Sequence, residues 1–298
     1  MMKIRKILVI GGTGMLGAPV AKQLQKDGFE VTILTRDPGS AKYKLGDSFQ
    51  FVDGEVSDID AIKKVFKSNN FDAVHINLNA LKYKDLEEIE LEGTKNIVEA
   101  AKESNLKKIT LISGMGVKKS NAWSPFIQNK LEIANIIKSS NIPYTIFNCT
   151  HFLEGINNYI RNGKISVFGK QLHPASWIAA SDYAKMVSKS FSIEESNNKV
   201  ISVLGPQKAT MKEVFQKYVK TVDPSLKLTE VPLGVIKLIS IITFNDTLKF
   251  IVDLMNYFDK VAEEPIEGTV TEILGKPSTT IDDWMKDKRN AIDVSSSN

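Results

Sequence analysis

Three glycines that follow a short apolar run near the start of the chain constrain its fold more than any other feature. The run Lys6–Ile10 is continuously apolar after its first residue, which is typical of a parallel strand buried on both faces. The spacing Gly11-x-x-Gly14-x-x-Gly17 comes next and leads into an amphipathic helical pattern that ends at Gly28. A strand, a tight glycine turn and a helix in this order predict a loop that binds a dinucleotide pyrophosphate at the helix N-terminus.

The same alternation of strand and helix patterns continues to about residue 150. Strands are predicted over 29–35, 49–52, 73–76, 108–112 and 144–147, and a long helical pattern covers 86–101. Repeats of this length require a parallel sheet with right-handed crossovers and helices on both faces. We therefore predict an α/β fold: a doubly wound, Rossmann-like parallel sheet with a smaller, mainly helical C-terminal substrate lobe.

The pattern changes after residue 150, which predicts two units. The dinucleotide-binding domain is predicted over 1–150, with 177–204 returning to it, and the substrate lobe over 151–176 and 205–298. Helical patterns in this half cover 181–191, 211–222, 232–260 and 281–289, and 200–204 has the pattern of a strand. The tail 295–298 is expected to be disordered.

Composition excludes several classes of function. The chain has 39 Lys and Arg against 35 Asp and Glu, and the basic residues are scattered, so nucleic-acid binding is not predicted. A single cysteine, Cys149, excludes an internal disulfide framework and fits a reducing compartment. The three histidines lack metal-ligand spacing, so no metal site is expected.

One later stretch, 231–244, is strongly apolar apart from Lys237. It is shorter than the ~20 residues that a membrane-spanning helix needs, and the chain does not open with a signal-peptide pattern. We expect a cytoplasmic monomer or homodimer without a transmembrane segment. The apolar stretch is interpreted as lobe core, with the mouth of a substrate pocket or a membrane-surface patch as the alternative.

Arg36 and Asp37 end the second predicted strand, where enzymes of this fold distinguish their cofactors. An acidic side chain there binds the 2′-hydroxyl of NAD, whereas an arginine suits the 2′-phosphate of NADP. Because Arg36 comes first, the sequence favours NADP over NAD. The alternative is that Arg36 pairs with Asp37 in solvent.

Further motifs accompany the glycine loop along most of the chain. They are TRDP at 35–38, GEVSD at 54–58, EGTKN at 92–96, PFIQNK at 125–130, IPYTI at 142–146, the segment 177–182 and LGKPSTT at 274–280. As a set they resemble the NmrA-like branch of the atypical short-chain dehydrogenase/reductase superfamily. That branch includes quinone and dye reductases as well as cofactor-sensing regulators.

The resemblance implies a cofactor site. In that site Arg36 would hold the 2′-phosphate, Glu55 would lie beside the adenine, and Lys130 would bind the nicotinamide ribose. The other cofactor-binding residues that it implies are Gly11, Thr13, Gly14, Met15, Leu16, Gly17, Asn77, Leu78, Asn79, Cys149 and Phe152.

The catalytic residues depart from the pattern of the family. Active members carry a Tyr-x-x-x-Lys pair, in which the lysine lowers the pKa of the phenol, but Phe126 stands four residues before Lys130 here. Ser113 matches the serine region of the family and would hold a substrate oxygen. His151, beyond the sixth predicted strand, is a candidate proton donor or else part of the pocket wall, and Tyr83 is a second candidate donor.

Two functions follow from this departure. The first is an NADPH-dependent reductase whose small-molecule substrate, such as a quinone, needs little help with protons. The second is a non-catalytic NADP-binding sensor or assembly protein that has kept the cofactor site.

Overall fold

The computed structural model describes residues 4–80, 82–264 and 271–296. The strands, in chain order, are β1 (Lys6–Ile10), β2 (Glu30–Thr35), β3 (Gln50–Asp53), β4 (Ala73–Ile76), β5 (Lys108–Gly114), β6 (Tyr144–Cys149), β7 (Ile160–Arg161), β8 (Lys164–Phe168), β9 (Ala175–Trp177), β10 (Lys199–Val203), β11 (Gln207–Ala209) and β12 (Lys227–Val231).

Helices occupy most of the remaining chain. The α-helices are α1 (Gly17–Lys26), α2 (Pro38–Leu45), α3 (Ile59–Asn69), α4 (Tyr83–Asp85), α5 (Gly93–Glu103), α6 (Pro125–Lys138), α7 (Ala180–Ser190), α8 (Met211–Thr221), α9 (Leu233–Ile242), α10 (Asp246–Lys260) and α11 (Ile281–Ser296). A π-helix, Leu86–Glu92, joins α4 to α5, so the helix predicted over 86–101 changes its hydrogen-bonding pattern halfway.

A seven-stranded sheet forms the centre of the molecule. Its order is β10-β6-β5-β4-β1-β2-β3, and every neighbouring pair is parallel. Helices α3, α5 and α6 bury their apolar faces on one side of the sheet, and α1 and α7 pack on the other. The predicted doubly wound α/β fold is confirmed. Because the strand order reverses between β1 and β4, a crevice opens at their carboxyl ends, where ligands bind in such folds.

Helix α7 and strand β10 return to the central sheet, whereas other elements of the second half pack around a separate core. That core includes Trp177, Phe215 and Met285, and it joins α8 and α11 to a three-stranded sheet, β12-β8-β7. A two-stranded sheet, β11-β9, lies beside it. These small sheets are absent from the sequence prediction because their strands have only two to five residues and little periodicity. The division into two domains stays a prediction.

Two expectations for the second half are wrong. Helix α11 continues through Ser296, so 295–296 are helical where disorder was expected, and the rest of that tail, 297–298, lies outside the described residues. The apolar stretch 231–244 forms α9 and the turn after it, but only Ile236 and Ser240 of that helix are buried. It is therefore not lobe core. No helix in the described ranges is long and apolar enough to cross a bilayer.

Candidate functional site

The glycine loop connects β1 to α1, and each of its three spaced glycines meets different surroundings. A Cβ on Gly11 would lie 2.2 Å from the carbonyl oxygen of Asn77, and one on Gly17 would lie 2.1 Å from that of Gly11. Both glycines are therefore required by backbone packing. Among the described residues other than its chain neighbours, a Cβ on Gly14 would come within 4 Å of one atom, the Gly11 oxygen at 3.2 Å. Gly14 thus leaves space for an approaching group.

Backbone donors face the same space. Among the described residues, the N–H groups of Met15 and Leu16 donate to no protein acceptor. They lie just before the first residue of α1, where the helix dipole adds a partial positive charge. Unpaired amides at a helix N-terminus beside an open glycine are suited to bind a phosphate.

The residues that follow β2 and β3 lie close together at the carboxyl ends of these two strands. Arg36 Nη1 is 3.7 Å from Glu55 Oε1, and both side chains are exposed. Asp37 instead accepts a hydrogen bond from the Ser40 amide at 2.9 Å and caps α2. The alternative pairing of Arg36 with Asp37 is therefore wrong, and the guanidinium has an exposed acid as its partner.

A second cation, which the sequence did not predict, lies beside the glycine loop. The Lys44 ammonium in α2 donates to the carbonyl oxygen of Thr13 at 2.6 Å. A lysine in the last turn of a short helix gives little signal in the sequence. Only the fold of α2 over the glycine loop brings it there.

A cavity of about 420 Å³ lies at the carboxyl edge of the sheet, and we call it the central cavity. The predicted site residues that line it are Gly14, Met15, Leu16, Asn77, Leu78, Asn79, Ser113, Lys130, Cys149, His151 and Phe152. Those that do not line it are Gly11, Thr13, Gly17, Arg36 and Glu55. The residues that line the cavity lie at the ends of β1, β4, β5 and β6 or in the segments that follow them. The residues that do not line it belong to the glycine loop or follow β2 and β3.

Lys130 reaches the cavity from α6, and a buried acid holds it there. Its ammonium lies 2.6 Å from Glu90 Oε2, which also accepts from Asn129 Nδ2 at 3.2 Å. The other carboxylate oxygen of Glu90 accepts the amide of Ala80 at 2.6 Å. One buried carboxylate therefore joins the loop after β4, which lines the cavity, to α6.

Sequence reasoning missed Glu90 because it belongs to an acid-rich run, 85–92, that resembles a solvent-exposed helix face. A signal was nevertheless present. Glu90 lies four residues after Leu86 and four before Thr94, all three of which are buried. An acid on the apolar stripe of a helix indicates a buried partner. The structure adds a second indication that Glu90 is functional, because it lies in a π-helix and such segments are frequent at functional sites.

Ser113 and Phe126 form the wall next to Lys130. Ser113 is buried, and its hydroxyl has no hydrogen-bond partner within the described residues although it lines the cavity. The Phe126 ring lines the cavity as well, with its centroid 5.5 Å from the Lys130 ammonium. An apolar ring therefore occupies the position of the family tyrosine. The Ser113 hydroxyl in the same wall is free to bind a ligand.

His151 lies in an aromatic part of the wall. Its ring stacks on Trp177 at a centroid distance of 5.2 Å and meets the edge of Phe258 at 4.7 Å. Burial lowers the pKa of His151 to about 4, against an opposing effect of the nearby Glu263 carboxylate. The imidazole is therefore neutral at pH 7, and this favours a role in the wall over proton donation.

Two tyrosines stand in different relations to the cavity. Tyr83 does not line it; the phenol donates to Asp253 and the ring packs on Phe250. Tyr257 from α10 does line it, and burial raises the pKa of its phenol to about 12. The Tyr257 hydroxyl lies 3.3 Å from the carbonyl oxygen of Gly116. Sequence reasoning missed Tyr257 because its helix is distant in the chain.

The remaining titratable groups near the sheet have structural surroundings. His75 is fully buried in β4, its Nδ1 is 2.9 Å from the Thr110 hydroxyl, and desolvation lowers its pKa to about 3. Burial raises the pKa of the Cys149 thiol, which keeps it neutral. Within the described ranges, no group of three His, Cys, Asp or Glu side chains is placed to hold a metal ion.

A doubly wound parallel sheet, a glycine loop at its first turn and a cavity at the switch in strand order define a Rossmann-type nucleotide-binding protein. The chain belongs to the NmrA-like family, whose model matches residues 3–285. The resemblance in its motifs is thereby confirmed.

Two curated relatives have different descriptions. The photosystem II assembly factor Ycf39 of Trieres chinensis is 28% identical over 243 residues, covering 78% of this chain and 74% of that protein. The chloroplastic divinyl chlorophyllide a 8-vinyl-reductase of Arabidopsis thaliana is 26% identical over 253 residues, covering 77% and 60%. One of these relatives is thus described as an assembly factor and the other as a reductase.

Solved structures with the same fold include two reductases. A triphenylmethane reductase from Citrobacter sp., complexed with NADP(H), has a TM-score of 0.74 and 16% identity, covering 95% of this chain and 99% of that one. The NADPH-dependent quinone oxidoreductase QOR2 of Escherichia coli, complexed with NADPH, has a TM-score of 0.72 and 17% identity, covering 94% and 99%. At these identities the likeness establishes the fold.

Proposed function

We propose that this protein is an NADPH-dependent reductase of a quinone or another conjugated small-molecule acceptor. The observation that carries the proposal is the central cavity, which presents a fixed ammonium and a serine hydroxyl with no partner among the described residues, but has phenylalanine where the family acid would stand. Similarity to NADPH-dependent quinone and dye reductases supports it.

The residues present fit a bound NADP(H). Gly14 leaves space for the pyrophosphate, and the amides of Met15 and Leu16 would donate to it. Arg36 and Lys44 are the cations at the adenosine end, where a 2′-phosphate would gain charge-assisted hydrogen bonds. Lys130 would bind the nicotinamide ribose. When bound, NADPH supplies a hydride to the acceptor.

The side chains around the acceptor would act through charge and orientation. Lys130, fixed by Glu90, would stabilise negative charge that develops on an acceptor oxygen, and the Ser113 hydroxyl would donate a hydrogen bond to it. Phe126 has no proton to donate. An acceptor that delocalises the incoming charge over a π system fits such a site better than an aliphatic ketone does.

A second function, a cofactor-binding sensor or assembly factor, is favoured by one observation. Two of the positions where the sequence predicts a proton donor do not supply one at neutral pH, since position 126 is phenylalanine and the pKa of His151 is about 4. Similarity to an assembly factor supports the same alternative. The two functions share the cofactor site and differ in turnover.

The test is steady-state NADPH oxidation without air, using a panel of quinones and aliphatic ketones. We expect the parent protein to reduce quinones and to leave ketones at least about 10²-fold slower. Lys130→Ala should raise the KM for NADPH and lower kcat, and Phe126→Tyr should add weak ketone reduction. Tight NADPH binding without turnover of any acceptor would instead favour the sensor.

Brisk ketone reduction by the parent would mean that a protein acid is present after all. Tyr257 is the first residue to test in that event, because its phenol lines the cavity and keeps its proton at neutral pH. Tyr257→Phe would then abolish ketone reduction, while the matched change Tyr83→Phe, outside the cavity, would leave it unchanged.

A further inference from the structure

Helix α9 turns an apolar face to solvent. Its sequence, LGVIKLISII, contains one charged residue, and its inward side is limited to Ile236, Ser240 and the partly buried Leu233. At about 100° per residue, the outer half of the helix carries only apolar side chains. These are Val235, Leu238, Ile239, Ile241 and Ile242, and we call them, with Phe244 in the following turn, the α9 patch.

The side chains of the α9 patch are exposed to solvent and adjacent to one another. Leu238 is 59% exposed, Ile242 is 66% exposed and Phe244 is 92% exposed. A helix that is apolar on all sides is normally buried in protein or in lipid. Six neighbouring apolar side chains on one protruding turn and helix therefore indicate a surface that another phase or molecule covers.

We propose that the α9 patch inserts into the interfacial region of an anionic lipid bilayer. The outer face of this ten-residue helix is about 15 Å long, and its apolar side chains form one continuous surface with Phe244. A helix with such a face can insert about 5–10 Å into the boundary between the lipid headgroups and the acyl chains. A second copy of the chain is the other possible occupant, and the experiment below distinguishes the two.

Charge around the patch favours a negatively charged bilayer. Lys237 lies at the border between the outer and inner faces of α9, where a lysine stem can lie along apolar surface while its ammonium reaches a lipid phosphate. Within the described residues it has no ion-pair partner. Asp246 and Lys249 in the first turn of α10 offset each other, and the whole chain carries a net charge of +4.

The same hairpin borders the central cavity. Helix α10 packs on α9 and contributes Tyr257 and Phe258 to the cavity wall. Docking would therefore bring the cavity close to the bilayer surface. The proposal concerns binding alone and does not depend on the proposed reductase activity.

Co-sedimentation of the full chain with vesicles tests this proposal. The parent should sediment with vesicles of phosphatidylcholine and phosphatidylglycerol and less with phosphatidylcholine alone. Leu238→Glu and Ile242→Glu, each made singly at an exposed position, should lower the partition coefficient about tenfold or more. Lys237→Glu should weaken binding to the anionic vesicles only.

The control is Tyr43→Glu, which makes the same charge change at a site on α2 that is 96% exposed. It should sediment as the parent does, and all variants should keep the parent melting temperature. The proposal is overturned if the parent stays in solution with both kinds of vesicle, or if Tyr43→Glu and Leu238→Glu lose binding equally. A dimer that Leu238→Glu dissociates, without vesicle binding, would overturn it in favour of a second copy of the chain.

Discussion

Replacing Glu90 with glutamine should destabilise the protein although the shape of the side chain is kept. The carboxylate accepts the Lys130 ammonium and the Ala80 amide at 2.6 Å each, and Asn129 at 3.2 Å. The amide nitrogen of glutamine would face the Ala80 amide if it replaced Oε1, or Lys130 and Asn129 if it replaced Oε2, and in either orientation the ammonium loses its charged partner. The loss of one charge-assisted hydrogen bond, together with two buried donors that face each other, should cost about 2 to 4 kcal/mol of folding stability.

Thermal and denaturant unfolding measure this change. At this chain length each kcal/mol lowers the melting temperature by about 2 °C, so Glu90→Gln should melt about 4 to 8 °C below the parent. The control is Glu88→Gln, on the same π-helix, where the exposed acid pairs with Lys84 at 3.4 Å. That surface pair should contribute less than about 1 kcal/mol.

A double variant distinguishes a lost pair from general disruption. Glu90→Gln combined with Lys130→Met removes both charges, and apolar replacement of a buried pair is often close to neutral. The double variant should therefore recover at least half of the stability that Glu90→Gln loses. Unfolding of Glu90→Gln within 0.5 kcal/mol of the parent, on the order of an ordinary surface change, would refute the view that Glu90 fixes Lys130.

Three further changes test the site and the core. Arg36→Ala should weaken NADPH binding roughly tenfold to a hundredfold and NADH binding little, because only NADPH has the 2′-phosphate; calorimetry that shows an unchanged preference would contradict this. Gly14→Val should stay folded and lose NADPH binding, since its Cβ meets only one backbone atom at 3.2 Å but fills the approach to the loop; retained affinity in the folded variant would show that no phosphate binds there. The pKa of His75 falls from 6.5 to about 3 on folding, so between these values the unfolded chain binds the extra proton and stability falls as the pH falls. His75→Asn should make this fall shallower by up to about 1.4 kcal/mol per pH unit, and equal slopes for His75→Asn and the parent would count against it.

The central sheet was predictable from the sequence because local patterns determine it. The strands of a parallel sheet are buried on both faces and appear as short apolar runs, and β1 and β4 match the predicted ranges residue for residue. The glycine loop is equally local, since three glycines at fixed spacing meet the packing demands at Gly11 and Gly17. The resemblance to the NmrA-like family rests on similar short motifs.

The unpredicted parts depend on contacts between distant segments. Glu90 and Lys130 are 40 residues apart, and the acid could be distinguished from its exposed neighbours only by its place on a buried stripe. Tyr257 reaches the Gly116 carbonyl across 141 residues, so no local pattern connects them. The expectation that α9 belongs to the lobe core was wrong for another reason. Hydrophobicity predicts that a segment is covered, but it does not identify whether protein or lipid covers it.

The most direct test of the proposed reduction is a single turnover without air. The protein, in excess over NADPH, is mixed with a 1,4-naphthoquinone, and the absorbance of the reduced nicotinamide is followed against a protein-free control. We predict that the bound NADPH is oxidised in one phase by the quinone, while an aliphatic ketone leaves it reduced over the same time. NADPH that binds tightly in the cavity and stays reduced with every quinone would contradict the reductase.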